Sequence, residues 1–132
     1  MGMYTEIFIR ANIRRDAPES VRSMLAYLVS STSEDAPESP DHEFFECARW
    51  RYVATCSSYY FPGAIHAAYV RSAIGGEPDT LNILANLKNY DGEIGKFFDW
   101  IDPYLEASPG DFIGYEMYEE DDTPTPHMKG EA

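Results

Sequence analysis

The chain has 132 residues, 44% of them apolar and 14% aromatic, with 23 acids against 10 bases and a formal net charge of −13. That length suits one domain, and the apolar content excludes an acidic disordered tail. The charge argues against direct nucleic-acid binding, which depends on many cation–phosphate contacts. The lack of a long apolar run and of a leader-like start argues against membrane spans and secretion and for a cytoplasmic protein.

Tyr4 to Ile13 alternates, with Ile7, Ile9, Ala11 and Ile13 on one face and Glu6, Phe8, Arg10 and Asn12 on the other. This predicts a half-buried strand. Asp16-Ala17-Pro18-Glu19 predicts a helix start capped by Asp16, and Val21, Met24, Leu25, Leu28 and Val29 continue as an apolar stripe. Residues 31–46, rich in Ser, Pro and acids, read as an acidic surface loop. Arg49 to Tyr60 alternates again, with Trp50, Tyr52, Ala54 and Cys56 on one face, which predicts a second strand. Pro62-Gly63 breaks it, and Ile65 to Ile74 returns as a third.

After the Gly75-Gly76-Glu77-Pro78-Asp79 turn, Leu81, Ile83, Ala85 and Leu87 alternate as a fourth strand. Asn89 to Glu93 opens a second helix with Ile94, Phe97, Phe98, Ile101 and Leu105 as its stripe, kinked or shifted near Pro103. Phe112 to Tyr118 makes the last strand, followed by a flexible acidic tail over 119–132. The order β-α-β-β-β-α-β predicts a single α+β domain spanning 1–132. Its sheet is largely antiparallel, with two helices on one face, in a ferredoxin-like arrangement with one extra strand. Cys47 and Cys56 have opposite parity in the second predicted strand and are expected as reduced thiols.

Several stretches taken together resemble a set of small uncharacterised bacteriophage and prophage proteins. They are Met3-Tyr4-Thr5-Glu6, Asp41-His42-Glu43-Phe44-Phe45, Arg49-Trp50-Arg51-Tyr52 and Cys56-Ser57-Ser58-Tyr59-Tyr60-Phe61 in the first half. In the second half they are Asn86-Leu87-Lys88-Asn89-Tyr90-Asp91, Glu93-Ile94-Gly95-Lys96-Phe97, Asp99-Trp100-Ile101, Gly114-Tyr115 and Tyr118-Glu119-Glu120. The resemblance implies a phage-type setting in a bacterial host cell and carries over no catalytic residue. It begins at Met3, so Met1-Gly2 reads as an addition, and the polar ending departs from the pattern.

Little else in the chain carries chemistry. Cys56 and His66 fall on neighbouring predicted strands but lack a strand-to-helix elbow or an electropositive turn, so a structural thiol and a surface imidazole are the simpler reading. Asp41, His42, Glu46 and Cys47, with His66, match no zinc spacing, and a solvated acidic loop accounts for them. Gly75-Gly76 is followed by acids rather than Lys and Ser or Thr, so it is a turn and not a phosphate cradle. A non-enzymatic protein without metal or cofactor is the expectation.

Charge is segregated. Residues 31–48 hold Glu34, Asp35, Glu38, Asp41, Glu43 and Glu46 and no base, whereas residues 49–75 hold Arg49, Arg51 and Arg71 and no acid. The leading reading is a protein that binds a host or phage protein with a basic surface, as an inhibitor or nucleic-acid mimic. It would use Glu34, Asp35, Glu38, Asp41, Glu116, Glu119, Glu120, Asp121 and Asp122, with Tyr59, Tyr60 and Phe61 as aromatic anchors. The alternative is a small-ligand or nucleotide site on the outer sheet face, built on Arg10, Arg49 and Arg51 with neighbouring Tyr rings. A face bearing Tyr and Phe also suits a homodimer formed through it.

Overall fold

The computed structural model describes residues 4–30, 36–56, 61, 66–73 and 77–130. Strand β1 (Thr5–Ile13) runs through the centre of the sheet, and its alternation holds: Ile7, Ile9 and Ile13 are fully buried. Helix α1 (Glu19–Val29) follows, burying Val21, Met24, Leu25 and Leu28. It starts later than Asp16 would place it. Pro18 stands at the N-cap, and its carbonyl accepts from Val21 and Arg22, while Asp16 forms a two-point ion pair with Arg14 at 2.8 and 2.9 Å.

Strand β2 (His66–Val70) and strand β3 (Asp79–Leu87) form the next antiparallel pair. Helix α2 (Glu93–Ile101) buries Ile94, Phe97, Phe98, Trp100 and Ile101, and Pro103 sits in a 3-10 turn (Asp102–Tyr104) that ends it. Strand β4 (Phe112–Tyr118) and strand β5 (Thr125–Met128) complete the sheet. The sheet order is β2-β3-β1-β4-β5, antiparallel throughout. Its β2-β3-β1-β4 part is the ferredoxin-like order, and both helices bury their stripes against the same sheet face as Ile7, Ile9, Leu81 and Ile83.

The α+β class and five-strand count hold, but one strand comes from elsewhere in the chain. The strand expected over 49–60 does not form in the described part of that segment. Two 3-10 turns (Glu43–Glu46 and Trp50–Tyr52) lead instead into a tight turn, with Cys47 N donating to Phe44 O, Trp50 N to Cys47 O and Val53 N to Trp50 O. A three-residue repeat puts Phe44, Cys47, Trp50 and Val53 on one side, and all four are buried. Tyr52, expected to share a face with Trp50, is 51% exposed. Trp50 and Phe44 belong to an aromatic cluster with Phe45, Phe97 and Trp100, which accounts for the departure from a strand.

Two further expectations change. The region 31–46 is not all loop, because its end turns and fully buries Phe44. The tail over 119–132 contains β5, which pairs with β4, and buried Lys129 reaches Asp102 at 3.2 Å. Cys47 and Cys56 are free thiols, as expected.

Candidate interaction surface

Strand order decides which charged segments meet. Thr5, at the start of β1, pairs with Leu87 at the end of β3 and with Tyr118 at the end of β4. The β4–β5 hairpin tip therefore projects from the end of the sheet where β3 passes into α2. Its first residue is clamped to Tyr4, just before β1, with Glu119 N donating to Tyr4 O at 3.0 Å and Tyr4 N donating to Glu119 Oε1 at 3.2 Å. Asp121 N closes a turn onto Tyr118 O at 2.9 Å. Glu120, Asp121 and Asp122 are exposed and form no ion pair among the described residues.

The β3–α2 connection is fixed just as locally. Asn89 Oδ1 accepts from Ile94 N at 3.0 Å, Glu93 Oε1 accepts from Asp91 N at 2.8 Å, and Gly92 takes a left-handed φ of 70°. This braced turn leaves Tyr90 66% exposed beside exposed Asp91. The Glu43–Glu46 turn packs on the same connection, its C-cap Cys47 Sγ lying 4.0 Å from Asp91 O. His42 Nδ1 accepts from Phe44 N at 3.1 Å, so that imidazole serves as the cap of the turn. Asp41, Glu43 and Glu46 are exposed there.

Two acidic segments far apart in the chain thus flank an exposed tyrosine at one end of the molecule. Lost hydration, together with Glu120, Glu119 and Asp121, pushes the Tyr118 hydroxyl above its ordinary pKa. At the other end the bases are largely spent on partners. Arg14 pairs with Asp16, Arg71 with Glu19 at 2.5 Å, Arg22 with Asp79 at 3.6 Å and Lys129 with Asp102.

The expected site residues divide accordingly. Glu119, Glu120, Asp121 and Asp122 come together at the tip, and exposed Glu38 and Asp41 precede the Glu43–Glu46 turn. Glu116 does not join them. It sits opposite Ile7 on the helix-covered side, with Oε2 3.4 Å from His127 Nε2, because strand alternation turns it inward. Glu34, Asp35, Tyr59 and Tyr60 lie outside the described residues, and Phe61 is half-buried.

The arginine set is split. Arg10 lies on the outer sheet face, 5.8 Å from the Phe8 ring centroid, whereas Arg49 and Arg51 flank Trp50 on the helix side, Arg51 over that ring at 5.3 Å. Cys56 and His66 both border β3, at Asn86 and Leu84, with no hydrogen bond between them. Burial raises the Cys47 thiol above its ordinary pKa, which makes it a poor nucleophile. Among the described residues no group of three His, Cys, Asp or Glu could hold a metal ion. Among the described residues no helix is long and apolar enough to cross a membrane.

Tyr90 is the residue the sequence reading passed over. Its signal is a large aromatic inside Asn89-Tyr90-Asp91-Gly92, a segment of turn residues that leaves little core for it to enter. No family model, curated protein or solved structure matches this chain.

Proposed function

We propose that the protein is a non-catalytic binding module that docks its acidic, tyrosine-bearing end onto a basic protein surface. The observation that carries this reading is the convergence of Glu120, Asp121 and Asp122 with Tyr90 and Asp91 on one end of the sheet. Unpaired acids steer a basic partner, and a tyrosine held out by a braced turn provides an anchor with little side-chain entropy to lose. The resemblance to small phage and prophage proteins supplies the setting: a host or phage protein whose nucleic-acid site these acids would occupy.

The test is capture from a nuclease-treated bacterial lysate with the wild type and with a Glu120→Gln, Asp121→Asn, Asp122→Asn variant. One near-stoichiometric protein, displaced by added nucleic acid or by about 0.5 M salt and missing from the variant, supports the reading. Capture that is indifferent to both salt and the variant removes it.

A further inference from the structure

The sheet face that no helix covers contains a groove with a chemistry of its own. β1 and β4 pair only as far as Ile9↔Gly114. Beyond that point β1 bonds to the chain following α2, Glu106 N donating to Asn12 O and Arg14 N to Tyr104 O, both at 2.8 Å. β4 follows β5 instead, with a register shift between Phe112 and Gly114. The space left is an open groove of about 460 Å³ lined by Arg10, Asn12, Thr80, Asn82, Asp111 and Phe112, with Glu106 beside them.

The groove's side chains are unusual for strands. Asparagine is disfavoured there because it neither packs nor pairs well, yet Asn12 and Asn82 stand on the adjacent interior strands β1 and β3. Arg10 lies directly opposite Asn82, and Asn12 directly opposite Thr80, so the four form one compact polar patch. Among the described residues, the side chains of Asn12, Thr80 and Asn82 meet no hydrogen-bond partner. Phe112 is 54% exposed at the rim.

We propose that this groove binds an uncharged saccharide. A sugar hydroxyl both donates and accepts, and the patch offers both: amide and guanidinium N–H groups as donors, amide and carboxylate oxygens as acceptors. Vicinal hydroxyls suit the paired planar groups of Arg10, Asn82 and Asn12, and the exposed Phe112 ring suits the C–H face of a pyranose. Ligands carrying phosphate fit poorly, because Glu106 and Asp111 share the lining with Arg10 as its cation. The groove lies toward the Ile13 end of β1 and shares no residue with the acidic end.

The test is an amide NMR titration of the whole chain with glucose, N-acetylglucosamine and maltose, with AMP as the charged comparison. Saturable shifts at Asn12, Thr80, Asn82 and Phe112 with at least one saccharide are expected. Phe112→Ala and Asn82→Ser should each weaken that saccharide by about tenfold while the remaining spectrum stays folded. Both side chains point away from the core, and if one variant fails to fold the other carries the same reading. Absence of saturable shifts in the groove with all three sugars overturns the proposal. So does a response to AMP alone, or unchanged affinity in the folded variants.

Discussion

The His127 imidazole lies flat on the Phe98 ring, with centroids 3.9 Å apart and planes inclined by 5°. This stack joins β5 to α2, and Glu116 Oε2 approaches His127 Nε2 from β4 at 3.4 Å. Glu116 Oε2 and His127 Nε2 are buried without a hydrogen bond, so the contact between them is what each has. His127→Ala should lower stability by about 1–2 kcal/mol in urea unfolding, from lost stacking and burial. Faster amide exchange confined to β5 and the end of β4 is the accompanying sign. An unchanged urea midpoint would show that the hairpin holds without the stack.

Gly114 lies on β4 opposite Ile9 of β1, with no room for a side chain. A methyl group there would collide with the Phe8 carbonyl oxygen and press on the Phe98 ring at 3.0 Å. Because the collision is with backbone, rotamer change cannot relieve it. Gly114→Ala should cost roughly 3 kcal/mol or prevent folding. Gly95→Ala, where no atom lies within 4 Å, is the control and should leave stability unchanged or raise it slightly.

Asp79 is a buried carboxylate whose Oδ1 accepts from Ser72 N at 2.9 Å and whose Oδ2 accepts from the Tyr69 hydroxyl. Burial alone would raise its pKa, but those bonds and the charges of Arg22 and Arg71 outweigh it and hold Asp79 below its ordinary 3.8. A depressed carboxylate gives stability that is present above 3.8 and is lost as pH falls through the folded value. Exposed Glu19, held at about 2 rather than 4.5, chiefly by hydrogen bonds from Arg71 and Ser23, acts in the same direction. Tyr69→Phe should cost about 1–2 kcal/mol at neutral pH and reduce the fall in stability below pH 4. Thermal melts of both proteins from neutral pH to pH 2 check this.

Alkali probes the opposite sign. Tyr115 donates to Glu6 Oε1 at 2.6 Å, and burial, then that bond and the Glu6 charge, push its pKa from 10 up to about 12. Stability from this pair is complete below pH 10 and lost as pH rises through 12. Tyr115→Phe should remove one late-titrating phenol from the absorbance titration. A spectrum in which every phenol titrates in the ordinary range would contradict the bond.

At the acidic end, stability and binding should separate. Glu120, Asp121 and Asp122 repel one another in the folded chain, so neutralising them should leave stability within about 0.5 kcal/mol of wild type or raise it. Tyr90→Ala should likewise cost less than about 0.5 kcal/mol, since the ring meets solvent. Loss of partner capture in both variants with unchanged melting assigns these side chains to binding.

Local periodicity made β1, both helix stripes, β3 and β4 readable in the sequence, because each buries one face and the backbone repeat sets which residues lie on it. The Phe44, Cys47, Trp50 and Val53 repeat was also present, but its last members coincide with an alternating pattern, and only the aromatic core around Phe97 and Trp100 selects the turns. β5 carries two polar residues and a proline in four positions, and it forms because β4 offers an open edge. The sequence alone determined the α+β class, the stripes and the excess of acid. Tertiary structure decided which charges are neutralised, which acids meet Tyr90, and that Arg10 parts from Arg49 and Arg51. Those outcomes depend on register between strands as distant as Glu6 and Tyr115, 109 residues apart, and no local period encodes such pairing.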